Sequence, residues 1–249
     1  MRGLFVTGTD TGVGKTVLSA ALLAAMAARG ERVRAFKPVL TGLEEHESDA
    51  PALWPADDEL LGAAARMAAA EVAPLRFAPA VSPHLAAELA GTEIDPAMLL
   101  DCARAAAARA SASGETLIVE GVGGLLVPLA ADYSVCELAA ELRLPLLIAA
   151  RPGLGTINHT LLTLRAARNA GLEVRAVVLT PWPAQPSTIE LSNRETIARL
   201  GGVEVQVLAR VSGPDPAELA RAGGVLPWAR WLRGRRLESR RSGAPLQVS

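Results

Sequence analysis

The sequence predicts a doubly wound α/β fold of the P-loop NTPase type, with a mostly parallel sheet and helices on both faces. Short apolar runs rich in β-formers alternate with longer helical stretches, and a glycine-rich loop follows the first run. Most of the runs are continuously apolar, which is typical of strands that are buried on both faces of a parallel sheet. The regular alternation of strands and helices indicates βαβ units.

Six strands and seven helices follow one another in this pattern. The predicted strands cover residues 4–7, 33–37, 117–120, 146–149, 174–179 and 203–208. The predicted helices cover residues 15–29, 58–70, 96–111, 135–142, 158–170, 187–200 and 216–222. Residues 41–57 and 72–84 contain several prolines, and we expect both stretches to be irregular. Residues 1–225 are expected to form a single domain, and residues 226–249 an Arg-rich tail that is partly disordered.

Composition narrows the class of protein. The formal net charge of −1 gives no general attraction to nucleic acid or to an anionic membrane. Cys102 and Cys136 lack metal-ligand spacing, so we interpret them as buried thiols in a reducing compartment. The strand-like run 4–6 leaves no room for a signal peptide, and the apolar helix 17–28 is too short to span a bilayer. We therefore expect a cytoplasmic protein.

The segment from Gly8 to Thr16 has the features of a phosphate-binding loop. It lies between a buried strand and a helix, and it reads Gly8, Thr9, Asp10, Thr11, Gly12, Val13, Gly14, Lys15 and Thr16. Glycines allow the backbone N–H groups to curl around phosphate oxygens. The lysine can reach the terminal phosphates, and the threonine hydroxyl can bind Mg²⁺. Because five residues separate Gly8 from Gly14, where the common P-loop pattern has four, this is a variant loop that binds a nucleoside triphosphate with Mg²⁺.

The rarity of lysine draws attention to a second position. Of the 25 basic residues, only Lys15 and Lys37 are lysines. Lysine is a compact point charge on a flexible stem, whereas arginine is a wide planar fork, so a tight site for phosphate oxygens can require lysine. The sequence therefore predicts that Lys37, like Lys15, is functional.

Two charged residues stand at the ends of predicted strands. Lys37 ends the second strand, and Glu120 ends the third. In open α/β sheets, ligands bind beyond the carboxyl ends of the strands. An acid at such a position near a phosphate loop is a common ligand of Mg²⁺, so we expect Glu120 to bind the metal.

Together these motifs resemble the dethiobiotin synthetase family over roughly residues 3–180. The resemblance depends on the loop just described and on five further stretches: Lys37-Pro38-Val39 with Thr41-Gly42, Ser48-Asp49-Ala50, Ser82-Pro83-His84, Val119-Glu120-Gly121 with Gly123-Gly124, and Gly155 with Ile157-Asn158-His159. In that family the variant spacing of the loop is normal.

The resemblance implies a reaction and a set of roles. The family joins 7,8-diaminopelargonate, CO₂ and ATP into a cyclic urea, with release of ADP and phosphate. Lys15 and the loop amides would hold phosphates, and Lys37 would stabilise the substrate carbamate and the carbamic–phosphoric anhydride. Thr16, Asp49 and Glu120 would bind Mg²⁺. Thr11 and Thr41 would line the phosphate and carbamate region. A homodimer is implied, with the substrate site completed across the interface by Gly155, Thr156 and Asn158.

The sequence departs from the family pattern at the end of the fifth predicted strand. Thr180-Pro181-Trp182-Pro183 stands where many members have an Asn-Asp pair that reads the nucleotide base. Threonine cannot offer the two-sided amide pairing that asparagine gives to adenine. We therefore expect Thr180 to border the base and to select weakly among nucleotides. Gly12 also replaces a position that is often acidic.

Two other functions share this type of loop. One is a deviant P-loop ATPase that acts as a spatial-regulation switch, which would use the tryptophan- and arginine-containing tail from Trp228 to Arg241 on a membrane surface. Against it, that class carries a second lysine near the start of the loop, where this chain has Thr9 and Asp10. The other is a cobyrinate-type amidotransferase, which needs an added glutaminase domain with a nucleophilic cysteine. The chain is too short for such a domain.

Overall fold

The computed structural model describes residues 1–43 and 54–233. Its strands are β1 (Gly3–Gly8), β2 (Val33–Phe36), β3 (Val39–Leu40), β4 (Leu75–Arg76), β5 (Thr116–Gly124), β6 (Pro128–Ala130), β7 (Tyr133–Ser134), β8 (Leu146–Ala150), β9 (Val174–Trp182) and β10 (Glu204–Ala209). Its helices are α1 (Lys15–Ala28), α2 (Asp57–Ala65), α3 (Ala69–Val72), α4 (Pro83–Leu89), α5 (Pro96–Ala112), α6 (Val135–Leu142), α7 (Thr156–Asn169), α8 (Thr188–Gly201), α9 (Pro216–Gly224) and α10 (Trp228–Trp231).

All six predicted strands meet in one sheet, in the order β10-β9-β8-β1-β5-β2. Every neighbouring pair in this sheet is parallel. The sheet is therefore doubly wound from β1, with β5 and β2 on one side and β8, β9 and β10 on the other. The predicted fold class is confirmed.

The core lies in two layers, one on each face of the sheet. Successive side chains of a strand point to opposite faces, and β1 shows this directly. Phe5 packs into the layer formed with α5, α6, α7 and α8. Leu4 and Val6 pack into the opposite layer, formed with α1, α2, α9 and α10. Since both faces are covered, the strands need apolar residues at every position, which explains their continuous apolar runs.

The packing of α9 against α1 shows how closely the second layer is built. Gly223 of α9 lies directly over the backbone of α1, where a Cβ atom would collide with the carbonyl oxygen of Ala21. Only glycine allows two helix backbones to approach this closely.

One predicted helix, over residues 58–70, is wrong as a single element. The chain instead forms α2 and the separate short α3, because Arg66 adopts the left-handed conformation with φ of 56°. The N–H of Met67 then donates to the carbonyl of Gly62, which closes the end of α2. A non-glycine residue in this conformation leaves no sequence signal.

The segment 72–84 is more ordered than the sequence suggested. It contains β4, which pairs in parallel with β3, and it includes the start of α4 at Pro83. Most of the other stretch expected to be irregular, residues 44–53, lies outside the described residues.

The first part of the predicted tail belongs to the packed structure. Trp228 and Trp231 are 3% and 2% exposed and lie in the core layer with α1. The Arg29 guanidinium stacks over the Trp228 ring at 5.1 Å. The packed structure therefore extends at least to Trp231, five residues past the start of the expected tail at residue 226. Residues 234–249 of that tail lie outside the described residues.

Candidate active site

The phosphate loop, residues 8–16, joins the end of β1 to the start of α1. Gly12 and Gly14 have φ of 67° and 93°, a region that side chains rarely adopt. Gly14 is also the residue before α1, so the loop delivers the free N–H groups of a helix N-terminus toward one point. Lys15 bends back over the loop, and its Nζ donates to the Asp10 carbonyl at 2.9 Å. This is the arrangement that binds phosphate groups.

The parallel register places Lys37 and Glu120 side by side. Phe36 of β2 pairs with Val119 of β5, so the next residues along the two strands, Lys37 and Glu120, are neighbours at the carboxyl end of the sheet. Glu120 also pairs with Val6 of β1, just before the phosphate loop. The sheet therefore brings both predicted strand-end residues next to the loop.

Four side chains meet here, and we refer to Thr16, Lys37, Asp57 and Glu120 as the strand-end cluster. Lys37 Nζ lies 2.7 Å from Glu120 Oε1 and 2.7 Å from Asp57 Oδ2. The Thr16 hydroxyl donates to Glu120 Oε1 at 2.9 Å. Lys37 and Glu120 are 2% and 1% exposed, so this ion pair is almost completely removed from water, whereas the Asp57 side chain is 37% exposed.

The pKa values of the loop lysine Lys15 and the cluster lysine Lys37 shift in opposite directions. Burial would lower the pKa of Lys37, but the charges of Asp57 and Glu120 and their hydrogen bonds raise it well above the ordinary value. Burial lowers the pKa of Lys15 to about 8, the charge of Lys37 acts in the same direction, and nearby carboxylates offset only part of the change. Lys37 is therefore a permanent cation. The charged form of Lys15 is the one that a negatively charged phosphate group would stabilise most.

Asp57 remains ionised in this setting. Burial acts to raise the pKa of Asp57, but the charge and hydrogen bond of Lys37, together with the nearby Thr16 hydroxyl, lower it below its usual value. Both carboxylates thus face the same lysine and the same threonine hydroxyl.

The oxygen atoms of the cluster fit a divalent metal of the Mg²⁺ type. Mg²⁺ prefers hard oxygen ligands from one or two carboxylates and hydroxyl groups. Glu120 Oε2 is buried and has no hydrogen-bond partner within residues 1–43 and 54–233. Over the same residues, no group of three or more His, Cys, Asp or Glu side chains could hold a metal ion. The chemistry that fits is therefore two carboxylates with one hydroxyl: Glu120, Asp57 and Thr16.

Asp57 was missed by the sequence reasoning, which assigned the second carboxylate to Asp49. Asp49 lies outside the described residues. Asp57 is the first residue of α2, whereas the predicted helix began at Asp58. The signal available was the acidic start of that helix, Asp57-Asp58-Glu59. Acidic residues at a helix N-terminus stabilise the helix itself, so their presence there does not indicate a site.

The loop and three residues of the strand-end cluster, Thr16, Lys37 and Asp57, border one cavity of about 330 Å³, here called the loop cavity. Its walls include Thr11 and Thr41, which the resemblance assigns to the phosphate and carbamate region, and also Trp54, which was not singled out. Lys15, Lys37, Thr16 and Asp57 all face it. The cavity can therefore hold phosphate and a second anion between two lysines.

Gly155, Thr156 and Asn158 do not border the loop cavity. They form the start of α7, where Gly155 has φ of 87° and Thr156 is buried with its hydroxyl 3.4 Å from that of Thr160. A separate cavity of about 480 Å³, here called the flank cavity, lies between α7 and the loop and is bordered by Thr9, Asp10 and His159. Within one chain, the start of α7 and the loop cavity are thus two different places.

Thr180 packs beneath the phosphate loop. It is 1% exposed, and a Cβ atom on Gly14 would lie 2.9 Å from its Cγ2 atom. The side chain therefore supports the glycine turn at the start of α1. Its part in base recognition stays a prediction.

Arg151 is a further residue that the sequence reasoning missed. It follows β8 directly, and its Nη2 donates to the Thr11 carbonyl at 3.0 Å. This contact ties the phosphate loop to the end of β8.

The fold, the loop and the strand-end cluster define a P-loop nucleotide-binding protein. A family model described as an AAA domain matches residues 2–216. The ATP-dependent dethiobiotin synthetase BioD of Anaeromyxobacter sp. (strain K) is 45% identical over 91% of this chain and 97% of its own. That of Bacillus subtilis (strain 168) is 37% identical over 82% and 85%, respectively. The chain belongs to the dethiobiotin synthetase family, and it is a ligase of biotin synthesis.

Among solved structures, a signal recognition particle receptor FtsY from Elizabethkingia anophelis, in complex with GDP, aligns with a TM-score of 0.49 at 12% identity. The alignment covers 90% of this chain and 64% of that one. No helix in residues 1–43 or 54–233 is long and apolar enough to cross a membrane.

Proposed function

We propose that the chain converts 7,8-diaminopelargonate, CO₂ and ATP into dethiobiotin, ADP and phosphate in a Mg²⁺-dependent reaction. An amine of the substrate first combines with CO₂ to give a carbamate. A carbamate oxygen then attacks the γ-phosphorus, the bond to ADP breaks, and a carbamic–phosphoric anhydride forms. The second amine attacks the carbamic carbon, phosphate leaves, and the cyclic urea closes with loss of protons.

The observation that carries this proposal is the position of Lys37. A carbamate is an anion that must approach the polyanionic triphosphate, so catalysis requires neutralised charge and fixed alignment. Lys37 is a buried permanent cation on the wall of the loop cavity, which the loop lysine Lys15 also borders. It can hold the carbamate while Lys15 and the loop N–H groups hold the phosphates.

Thr16, Asp57 and Glu120 would hold Mg²⁺ in this proposal. When bound, the ion would supply positive charge to the phosphate oxygens and to the leaving ADP. Lys37 now contacts the two carboxylates directly. Those contacts keep the lysine in place and protonated before the anions enter.

We further propose that the active unit is a homodimer, with the start of α7 from a second copy completing the substrate site. Three leucines beside that region are unusually exposed: Leu126 at 66%, Leu154 at 97% and Leu162 at 56%. Leu126 and Leu162 border the flank cavity. A cluster of exposed leucines next to a functional site is typical of an interface between chains.

The alternative of a spatial-regulation switch loses its supporting feature. It relied on a membrane-facing tail that contains Trp228 and Trp231. Both tryptophans are buried against the α1 layer and cannot enter a membrane surface while the fold is intact.

Product analysis tests the proposal. The chain is incubated with ATP, Mg²⁺, diaminopelargonate and ¹³C-bicarbonate, and the products are identified by mass spectrometry. We expect one ¹³C atom in a dehydrated cyclic urea, formed only when all four components are present. A labelled carbamate that never closes, or no labelled product at all, would contradict the proposed reaction.

A further inference from the structure

A second cavity lies at the end of the sheet opposite to the phosphate loop. It has a volume of about 590 Å³, and we call it the basal cavity. Its walls include residues 173–175 and 203–204, where the parallel strands β9 and β10 begin. The loop follows the carboxyl end of β1, so the basal cavity is remote from the proposed ligase chemistry.

The walls of the basal cavity are predominantly cationic. Four arginines and two glutamates border it, an excess of two positive charges, and they are Arg168, Arg175, Arg230, Arg233, Glu173 and Glu204. The glutamates neutralise only part of this charge: Arg230 lies 2.5 Å from Glu204 Oε2, and Arg175 Nη1 lies 3.1 Å from Glu173 Oε1.

Buried hydrogen-bond donors in the same walls have no acceptor. The Arg175 side chain is only 10% exposed, and its Nε and Nη2 atoms have no hydrogen-bond partner in the part of the chain that the structure describes. The indole Nε1 of Trp231 is also buried and has no hydrogen-bond partner among the described residues. Buried polar groups are almost always paired, and each of these three atoms can only donate. The unused capacity of the cavity therefore calls for a ligand that brings acceptor oxygens.

We propose that the basal cavity binds a small molecule that carries a phosphate or carboxylate group. The planar guanidinium of arginine matches such oxyanions in paired hydrogen bonds. The volume exceeds that of the oxyanion itself, and Leu172, Val174 and Val203 provide apolar wall for an attached organic body. The oxyanion binds at Arg175 and Trp231, and the exposed Arg230 and Arg233 supply charge on the solvent side.

The indole N–H of Trp231 is a direct reporter of binding. ¹H–¹⁵N spectra of the full chain are recorded during titration with inorganic phosphate and, separately, with glutarate, at constant ionic strength maintained with sodium chloride. Trp231→Phe assigns the resonance. The Lys15→Ala background removes phosphate binding at the loop, so success or failure here is independent of the proposed ligase function.

We expect the Trp231 resonance to shift saturably with at least one of the two anions. Saturation at a lower concentration of phosphate identifies a phosphate-bearing ligand, and the reverse order identifies a carboxylate. Arg175→Met should raise the half-saturation concentration at least tenfold, whereas Arg165→Gln, an exposed arginine of α7 outside the cavity, should leave it unchanged.

Two further positions, the exposed Arg230 and the half-buried Glu204, keep the test decisive if Arg175→Met fails to fold. Arg230→Gln should weaken binding about threefold, and Glu204→Gln should strengthen it because it releases Arg230 from its ion pair. A Trp231 resonance that shows no saturable shift with either anion would overturn the proposal. So would equal half-saturation in the parent, Arg230→Gln and Glu204→Gln chains.

Discussion

Replacing Lys37 with methionine should distinguish the contribution of the strand-end cluster to the stability of the protein from its contribution to catalysis. The Lys37 and Glu120 side chains are 3% and 1% exposed, so removal of the cation leaves a buried carboxylate without its partner. Breaking one half of such a buried pair costs roughly 3–5 kcal/mol. For a chain of this length, that corresponds to a fall in Tm of roughly 6–20 °C.

The double variant Lys37→Met with Glu120→Gln makes the reasoning quantitative. Exchanging both members of a buried pair for neutral groups of similar shape is nearly neutral, so most of the lost stability should return, to within about 1.5 kcal/mol of the parent. Asp57, the other partner of Lys37, has a side chain that is 37% exposed and can be solvated by water instead. The activity should not return, because the cation that holds the carbamate is still missing. We expect turnover at least about a hundredfold below the parent in both variants.

Two quantities are measured for each variant. The free energy of unfolding comes from urea denaturation monitored by circular dichroism, and the activity is the rate of dethiobiotin formation. Arg2→Met serves as the control, since the Arg2–Glu31 pair has side chains 47% and 30% exposed and its loss should cost only about 1 kcal/mol. A double variant as unstable as Lys37→Met would refute the assignment of the stability loss to an unpaired Glu120. Near-normal turnover in either variant would refute the role of Lys37.

Three further predictions concern the metal, the interface and the base. Asp57→Asn should raise the Mg²⁺ concentration for half-maximal rate about tenfold or more, because an amide is a poorer ligand than a carboxylate. Glu59→Gln, which changes an exposed acid in the same turn of α2, should leave that concentration unchanged. The same half-maximal Mg²⁺ concentration for Asp57→Asn and the parent would remove Asp57 from the site. Leu162→Glu should weaken dimerisation at least about tenfold in sedimentation equilibrium, whereas Leu200→Glu, an equally exposed leucine at 56%, should leave it intact; a monomeric parent would contradict the proposed dimer. With Thr180 unable to pair with adenine, ATP, GTP and CTP should have kcat/KM values within about tenfold of one another, or 1.4 kcal/mol, and an ATP preference above about a hundredfold would mean that another group reads the base.

The sequence predicted most reliably those features that depend on a local pattern of residues. The continuous apolar runs predicted all six strands of the sheet, because burial on both faces requires them at nearly every position. The sequence also placed Lys37 and Glu120 at strand ends, and parallel strands end at one edge of the sheet. It did not predict that the two side chains form an ion pair.

The features that the sequence did not predict depend on long-range packing. Asp57 enters the cluster only because α2 packs beside α1 and β2. An acidic residue at the start of a helix is also expected simply because it stabilises the helix N-terminus. Trp228 and Trp231 stand among arginines, so the local pattern resembles an exposed tail. Their burial arises from the distant α1 layer, which no local window contains.

The most direct test of the central claim is a coupled phosphate-release assay on the whole chain with ATP and Mg²⁺. Diaminopelargonate and bicarbonate are added separately and then together, with Lys37→Met in parallel. We predict that phosphate appears only when both are present, in a one-to-one ratio with dethiobiotin, and that the variant releases none above background. Phosphate release at the same rate from ATP alone would contradict the claim that the strand-end cluster brings a carbamate to the nucleotide.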